Sequence, residues 1–435
     1  MPNGGNELRF IQTLFGAPLK KLKISAIRLG MPFLQTTLLL IQGCSKSTID
    51  TSISASNVRP TQFIADFQSN QSLLIHIDTL FALGETTSDY LKTIKSFLSL
   101  GFPRVVILIA QDAPTPHPEM SQIINSIEGS FSSDKVTFWR GNSSERASRW
   151  IRDWIPLAFD DSENLGLMNF QYFQIGSDVG KKLARASEAK TIFSNKWFEG
   201  GNFATNGKGK CFIGKGGANP AKPAVQQEIK EELLKSQICK EVIELPSLKL
   251  ENSDSSFVAT NHIDMWMKIV STDTAFVATI DKEMKSDFTR RTAEYLRASF
   301  DPGYPISELE KQRVRSDIEA VQKLLDEGAL ELERSGMKVV RIPHPVPILS
   351  LDPTLNAIQQ GKKIMLSKFI PWEGNGGTVA AELWAETHRR AEQIIRAEGF
   401  EVLWMDVSSL LGGGGALHCA TAQLPDPLIN KMIRR

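Results

Sequence analysis

Four short stretches of the chain carry side chains whose types could act together. GGGGALHC (412–419) runs four glycines into His418 and Cys419. Glycine is retained where a backbone needs positive φ or close approach to a neighbour. A cysteine presented behind such a run is a candidate nucleophile if a nearby histidine or cation favours its thiolate. NHIDMW (261–266) offers His262 and Asp264 two positions apart, which on an extended strand would face the same side. RWIRDWIP (149–156) places Arg152 and Asp153 among Trp150, Ile151 and Trp154, and FEGGNFATNGKG (198–209) places Glu199 before Gly200 and Gly201. Each stretch alone has an ordinary explanation: an Arg–Asp pair, a glycine turn, a structural His-x-Asp, a packed cysteine. Together, one cysteine, one histidine and two aspartates suit attack on the carbon of a guanidinium. The planar cation presents its donors in a fork that matches carboxylates. A tryptophan beside the first aspartate could wall an aliphatic chain and stack on the cation.

Other uses of the same residues are weaker. His262, Asp264, His418 and Cys419 could be counted as a zinc set, but neighbours such as His418 and Cys419 point to opposite faces of a strand. A papain-like protease would leave the paired aspartates without a task. The remaining cysteines, Cys44, Cys211 and Cys239, form no CxxC pair, and their spacing suggests neither a zinc framework nor a disulfide scaffold. Cys211 and Cys239 therefore read as buried packing.

These residues need a frame. The chain has 435 residues, 41% hydrophobic and 23% charged, the composition of a folded protein with a large core. A formal net charge of +1 gives no basic field for nucleic acid. Short β-branched runs read as buried strands: SLLIHID, RVVILIA (104–110), KVTFWR (135–140), LGLMNFQYF, GKCFIGK, MKVVRIP (337–343), KKIMLSKF (362–369) and FEVLWMDV (400–407). The segment 264–280 reads as strand, turn and strand. Helical patterns occupy 223–237, 306–336 with Gly336 as its stop, and 378–400. Strands alternate with helices from about residue 71 to the end, which predicts one α/β domain without a clean sequence repeat.

The first 44 residues differ. Five basic residues (Arg9, Lys20, Lys21, Lys23, Arg28) stand against one acid, Glu7, and a diluted apolar stretch, MPFLQTTLLLIQGC, ends at Cys44. This order describes a secretory leader, and its end looks like a bacterial lipobox with Cys44 as the lipidated residue. The run is too short for an ordinary transmembrane helix. The competing reading is a surface helix or unstructured leader on a cytoplasmic protein. Residues 45–70, rich in Ser, Thr, Asn and Gln, read as a polar tether.

WIRDWIP, EGGN, NHID and GGGGALHCATAQLP, in that order, resemble the motifs of the agmatine deiminase and bacterial peptidylarginine deiminase family, guanidino-group-modifying enzymes. The resemblance covers roughly residues 71–430. It implies a pentein fold, five αβ modules arranged as a pseudo-fivefold propeller around a central site. It implies Cys419 as nucleophile, His262 as acid and then base, and Asp153 and Asp264 as guanidinium holders. Trp150 would flank the substrate, Glu199 would orient His262, and Gly414 and Gly415 would let the backbone approach the ligand. No metal or organic cofactor is implied. The charged helical region at about 283–336 looks like an insertion. Asn206 stands where agmatine deiminases usually have an Asp, which speaks against agmatine. The expected reaction is hydrolysis of a guanidino group, on peptidyl-arginine or agmatine, to a ureido group and ammonia. The alternatives are amidinotransfer on the same fold, or a surface lipoprotein that binds arginine-bearing partners without turnover.

Overall fold

The computed structural model describes residues 62–110, 120–141, 150–160, 164–172, 176–215, 223–248, 262–299, 306–346, 352–369, 377–411 and 415–434. The leader, Cys44 and Gly414 lie outside them. The described chain begins with β1 (Gln62–Phe63), β2 (Gln71–His76), α1 (Ile77–Ala82), α2 (Thr87–Ser99), β3 (Val105–Ala110), α3 (Met120–Ser130) and β4 (Val136–Gly141). Four stretches of one pattern follow, each an antiparallel strand pair, a helical crossover and a strand parallel to the second. They are β5 (Leu157–Asp160), β6 (Leu165–Gln171), α4 (Gly176–Ser187) and β7 (Lys190–Trp197); then β8 (Phe203–Thr205), β9 (Lys210–Gly214), α5 (Pro223–Lys235) and β10 (Glu241–Leu245). The third is β11 (Met267–Ile269), β12 (Thr274–Ile280), α6 (Lys282–Ser299), α7 (Glu308–Arg334) and β13 (Lys338–His344); the fourth is β14 (Ile358–Gln360), β15 (Lys363–Lys368), α8 (Gly377–Ala397) and β16 (Glu401–Asp406). The chain ends with α9 (Ser408–Leu411), β17 (Thr421–Pro425) and α10 (Asp426–Ile433).

The last strand completes the first unit. β17 pairs antiparallel with β2, which is parallel to β3, so the order β17-β2-β3-β4 repeats the same pattern with its outer strand taken from the far end of the chain. Five separate sheets result among the described residues. The middle strands are buried along their length, as in β2 and β15, which explains their uninterrupted apolar sequences.

Helix α7 shows how sequence sets position. Val314, Ile318, Val321, Leu325, Ala329 and Leu332 recur at helical spacing and are buried in the largest core, against Phe276, Ala278 and Trp266. Ser307 caps its start by accepting from the Glu310 N–H, and Gly336 ends it at φ +84°, as expected of that glycine. Gly328 is needed for contact: a Cβ there would lie 2.5 Å from the buried Trp266 ring. Helix α7, in the region that looked like an insertion, thus shares its core with Ile263 and Trp266, the neighbours of His262 and Asp264 in sequence.

Two expectations change. Residues 62–70, assigned to the polar tether, belong to the folded body: β1 pairs with β5, and Gln71 donates to the Ala65 and Gln68 carbonyls. Polar composition concealed this because the segment is held by hydrogen bonds to its own backbone as well as by packing. Cys211 and Cys239 are joined in a disulfide, both buried. Spacing did not suggest the bond because α5 lies between the two, and only the parallel pairing of β9 with β10 brings the ends of that crossover together.

Candidate active site

The chemically suited residues occupy one recurring place. Each sits in the turn just ahead of a unit's outer strand: Asp153 before β5, Glu199 before β8, His262 and Asp264 before β11, and Cys419 before β17. The turn before β14 supplies Asn356 at the same place. His262 and Asp264 were expected on an extended strand. They instead flank and occupy a single 3-10 turn, Ile263–Met265.

These turns are tied to one another in a cycle. The Arg152 N–H donates to the Cys419 carbonyl (3.1 Å), and the His418 N–H to the Asn356 carbonyl (3.3 Å). Asn356 Nδ2 donates to the Asp264 carbonyl (3.3 Å), His262 Nε2 meets Glu199 Oε2 at 2.8 Å, and the Gly201 N–H donates to Asp153 Oδ1 at 3.2 Å. Such approach leaves no room for side chains. A Cβ on Gly200 would fall 2.1 Å from the Arg152 carbonyl oxygen, and one on Gly201 would fall 2.5 Å from His262 Nδ1. The paired glycines of EGGN therefore answer to neighbouring turns. Gly415 is explained similarly: a Cβ there would meet the Trp150 ring at 2.7 Å. Trp150 is half-buried against the first unit's core, and the described glycine touches the indole.

The cycle brings the predicted side chains together. A ring nitrogen of His262, a carboxylate oxygen of Asp264 and Cys419 Sγ all lie within 4.8 Å of one another. The Cys419 thiol is 3.5 Å from Asp264 Oδ2, and His262 Nδ1 is 3.8 Å from Asp153 Oδ1. By distance alone the first three could hold a metal. His418, the fourth member of the zinc set considered from sequence, is directed elsewhere, with Nδ1 on Asp264 Oδ2 and Nε2 on Asp66 Oδ2, both at 2.7 Å.

Electrostatics follow from burial among acids. Burial pushes the Asp153 carboxyl up to about 7; His262 opposes this, while Glu199 and Asp264 add to it. Burial disfavours charge on His262, but Asp153, Cys419, Glu199 and Asp264 outweigh it and hold the imidazolium well above its usual range. Burial and then Asp264 push the Cys419 thiol up to about 11, against a lowering contact with His262. The free site thus pairs a neutral thiol with a charged imidazole. Asp264 remains ionised despite burial because His418, His262 and Arg152 lower it.

Several residues of this site were not singled out from sequence. Asp66, in the supposed tether, takes hydrogen bonds or ion pairs from His418, Arg152 (3.3 Å) and Lys268 (3.9 Å). Burial works against its charge, but Arg152, the His418 hydrogen bond and Lys268 hold its carboxyl well below the usual range. Lys268 is itself lowered to about 8, by burial first. These residues line a small cavity together with Asp264, and among the described residues Arg152 Nε and Nη2 have no hydrogen-bond partner. Asn356 carried a signal only in its place two residues before a strand, where Cys419 also stands. Asn206, which seemed to weigh on substrate choice, serves the β8–β9 turn: its Oδ1 accepts from the Lys208 and Lys210 N–H groups, and its Nδ2 donates to the Thr272 carbonyl.

Comparison with known proteins agrees with the motifs. Residues 78–425 match the model of the Porphyromonas-type peptidyl-arginine deiminases. The chain belongs to that family. Its members are deiminases that act on guanidino groups. Among solved structures, C. jejuni agmatine deiminase aligns with a TM-score of 0.53 at 15% identity, over 84% of this chain and 96% of that one. Agmatine deiminase of Enterococcus faecalis aligns at 0.51 and 13% identity, over 84% and 95%. At such identity these likenesses establish the shared mixed α/β fold of the pentein proteins. No curated protein matches the chain.

Proposed function

We propose that this deiminase hydrolyses the guanidino group of peptidyl-arginine or agmatine to a ureido group and ammonia, through a covalent adduct on Cys419. The observation that carries this reading is the meeting of Cys419 Sγ, His262 and Asp264 within 4.8 Å, with Asp153 Oδ1 3.8 Å from Nδ1 of the same imidazole. The cycle of five turns supports a further structural reading, that the five units stand as a pseudo-fivefold propeller with the reacting groups at its axis.

The electrostatics give the order of events. A guanidinium entering between Asp153 and Asp264 supplies the positive charge those acids lack, and it lowers the cost of a thiolate on Cys419. The thiol proton leaves to solvent, and Sγ adds to the guanidinium carbon. His262, already an imidazolium, gives its proton to the departing nitrogen; the C–N bond breaks and ammonia leaves. The amidino-thioester that remains is a cation still gripped by the two acids. Water then gives a proton to the neutral His262 and adds to the same carbon. The C–S bond breaks, the adduct's hydroxyl gives up its proton to solvent, the ureido product forms, and thiolate and imidazolium are restored. Glu199 holds the ring through Nε2, leaving Nδ1 toward the reacting side. Asn206 does not count against agmatine, since its side chain is occupied by a turn.

The test is a panel of agmatine, free arginine and arginyl peptides read by ammonia and ureido product, with and without an added amine acceptor. Cys419→Ala should abolish turnover of every substrate. Wild-type rates in that variant would remove the nucleophile from the scheme, and amidino transfer to the amine would replace hydrolysis.

We also propose that the protein is exported and held on a membrane by lipid at Cys44. The basic leader supports this, as does the Cys211–Cys239 disulfide, a bond that persists mainly in oxidising compartments.

A further inference from the structure

Lys268 is the middle residue of β11, a strand whose three residues are all buried. A lysine there takes its ammonium out of water, a cost that only hydrogen bonds and opposite charge can offset. Its side chain is 5% exposed, yet among the described residues its Nζ makes no hydrogen bond, and its ion pair with Asp66 Oδ2 is 3.9 Å long. Arg152, with a side chain 9% exposed, commits only Nη1 to a protein acceptor, Asp66 Oδ1 at 3.3 Å, and leaves Nε and Nη2 without one. Two basic side chains thus share one carboxylate, and His418 Nε2 draws on the same carboxylate at 2.7 Å. Both line the small cavity beside Asp66, whose volume of about 50 Å³ has room for a few waters or for one ion of a few heavy atoms. The N–H groups left over, those of the Lys268 ammonium and of Arg152 Nε and Nη2, face a single unpartnered side-chain acceptor in its wall, Gln423 Oε1.

We propose that this cavity is a binding site for one small monovalent oxyanion, of the size of formate or bicarbonate, held by Lys268 and Arg152. Such an ion supplies the second negative partner that the two basic side chains lack. The unused Nε and Nη2 lie on one edge of the guanidinium, and two donors on one edge match two oxygens of a planar anion. Water would supply acceptors without charge and would leave the excess positive charge buried. A doubly charged anion would be repelled by Asp66 and Asp264, which line the same cavity. Phe63, Ile263 and Leu355 give the wall an apolar part, which strengthens the attraction of the cations for the ion. The Asp66 side chain is a quarter exposed, so the site has a way to solvent. The site is distinct from the reacting centre: of the groups that meet at Cys419, only Asp264 also lines the cavity. The inference does not depend on the reaction proposed above.

The experiment is calorimetric titration of the full chain, without substrate, with sodium formate and separately with sodium nitrate. It is run at pH 7, below the Lys268 midpoint of about 8, with ionic strength held by sodium gluconate, an anion too large for the cavity. Saturable binding of one anion per chain is expected below about 0.1 M, and binding at least about tenfold weaker in Lys268→Met, which keeps the length of the side chain and removes its charge. Formate should also raise the melting temperature of the wild type over gluconate and leave that of the variant unchanged. If Lys268→Met does not fold, Lys268→Gln takes its place. Crystals grown with formate decide without a variant: the anion should lie within hydrogen-bond distance of Lys268 Nζ. No saturation of the wild type by either anion, unchanged affinity in a folded variant, or water alone in the cavity of the formate crystals overturns the proposal. Because binding needs no turnover, these outcomes are separable from failure of the deiminase reading, which Cys419→Ala tests by itself.

Discussion

Asp153 is the residue whose environment costs the free protein most visibly. Its carboxyl is buried near Glu199 and Asp264 and is raised to about 7, whereas an unfolded aspartate ionises near 4. An acid raised on folding weakens the fold as pH rises. The penalty is absent below about pH 4, where the carboxyl is neutral in both states, grows between about 4 and 7, and is complete above. Asp153→Asn should therefore match wild-type stability near pH 4 and exceed it at pH 8 by about 1–3 kcal/mol, less than the full shift implies because His262 loses a partner. The same variant should lose deimination. Urea melts at pH 4.5 and pH 8 check the first part, and a variant less stable than wild type at pH 8 would mean that the His262 attraction exceeds the burial cost. The side chains that meet at Cys419 were legible from sequence because Cys, His and Asp announce chemistry by type. Asn356 and Asp66 were not, since a buried amide and an acid in a polar stretch look ordinary until the fold shows what they touch.

At the level of elements, the strands of uninterrupted apolar sequence and helices α5, α7 and α8 could be read directly, within a few residues at each end. Helices α2, α3 and α4 and strand β7 were not read. Strand β7 alternates half-buried and exposed residues, and so lacks the continuous run that marked the others. The five-unit order was hidden for a different reason: one unit takes its outer strand from the opposite end of the chain, so no linear repeat contains it. The turns, by contrast, left a readable trace in glycine. Gly200→Ala tests whether that trace is spatial. Its Cβ would meet a backbone oxygen rather than a flexible side chain, so the turn carrying Glu199 must move away from Arg152. A loss of about 1–3 kcal/mol is expected, as for overpacking elsewhere, with a fall in kcat larger than stability alone explains, because Glu199 sets the His262 ring. Thermal melts and steady-state rates measured on one preparation separate the two effects. An unchanged kcat would show that the turns tolerate displacement.

For the molecule as a whole, the closure of the first unit by β17 and the Cys211–Cys239 bond act on distant parts of the same fold. The bond clips the β9–α5–β10 crossover, a separation of 28 residues, in the unit that supplies Glu199. A cross-link over a loop of that size limits the unfolded chain and contributes about 3–4 kcal/mol. Neither sulfur is among the groups that meet at Cys419. Replacing both cysteines by alanine should therefore lower the melting temperature while leaving the deimination rate at 25 °C within about twofold. Dithiothreitol should lower the wild-type melting temperature toward that of the double variant and leave the variant's own value unchanged. If export is right, protein taken from the membrane fraction and alkylated without reduction should carry the Cys211 and Cys239 peptides as one linked species. Free thiols at both positions in that material would remove the disulfide as support for export, and a reductant-insensitive wild type would show that the crossover does not depend on it.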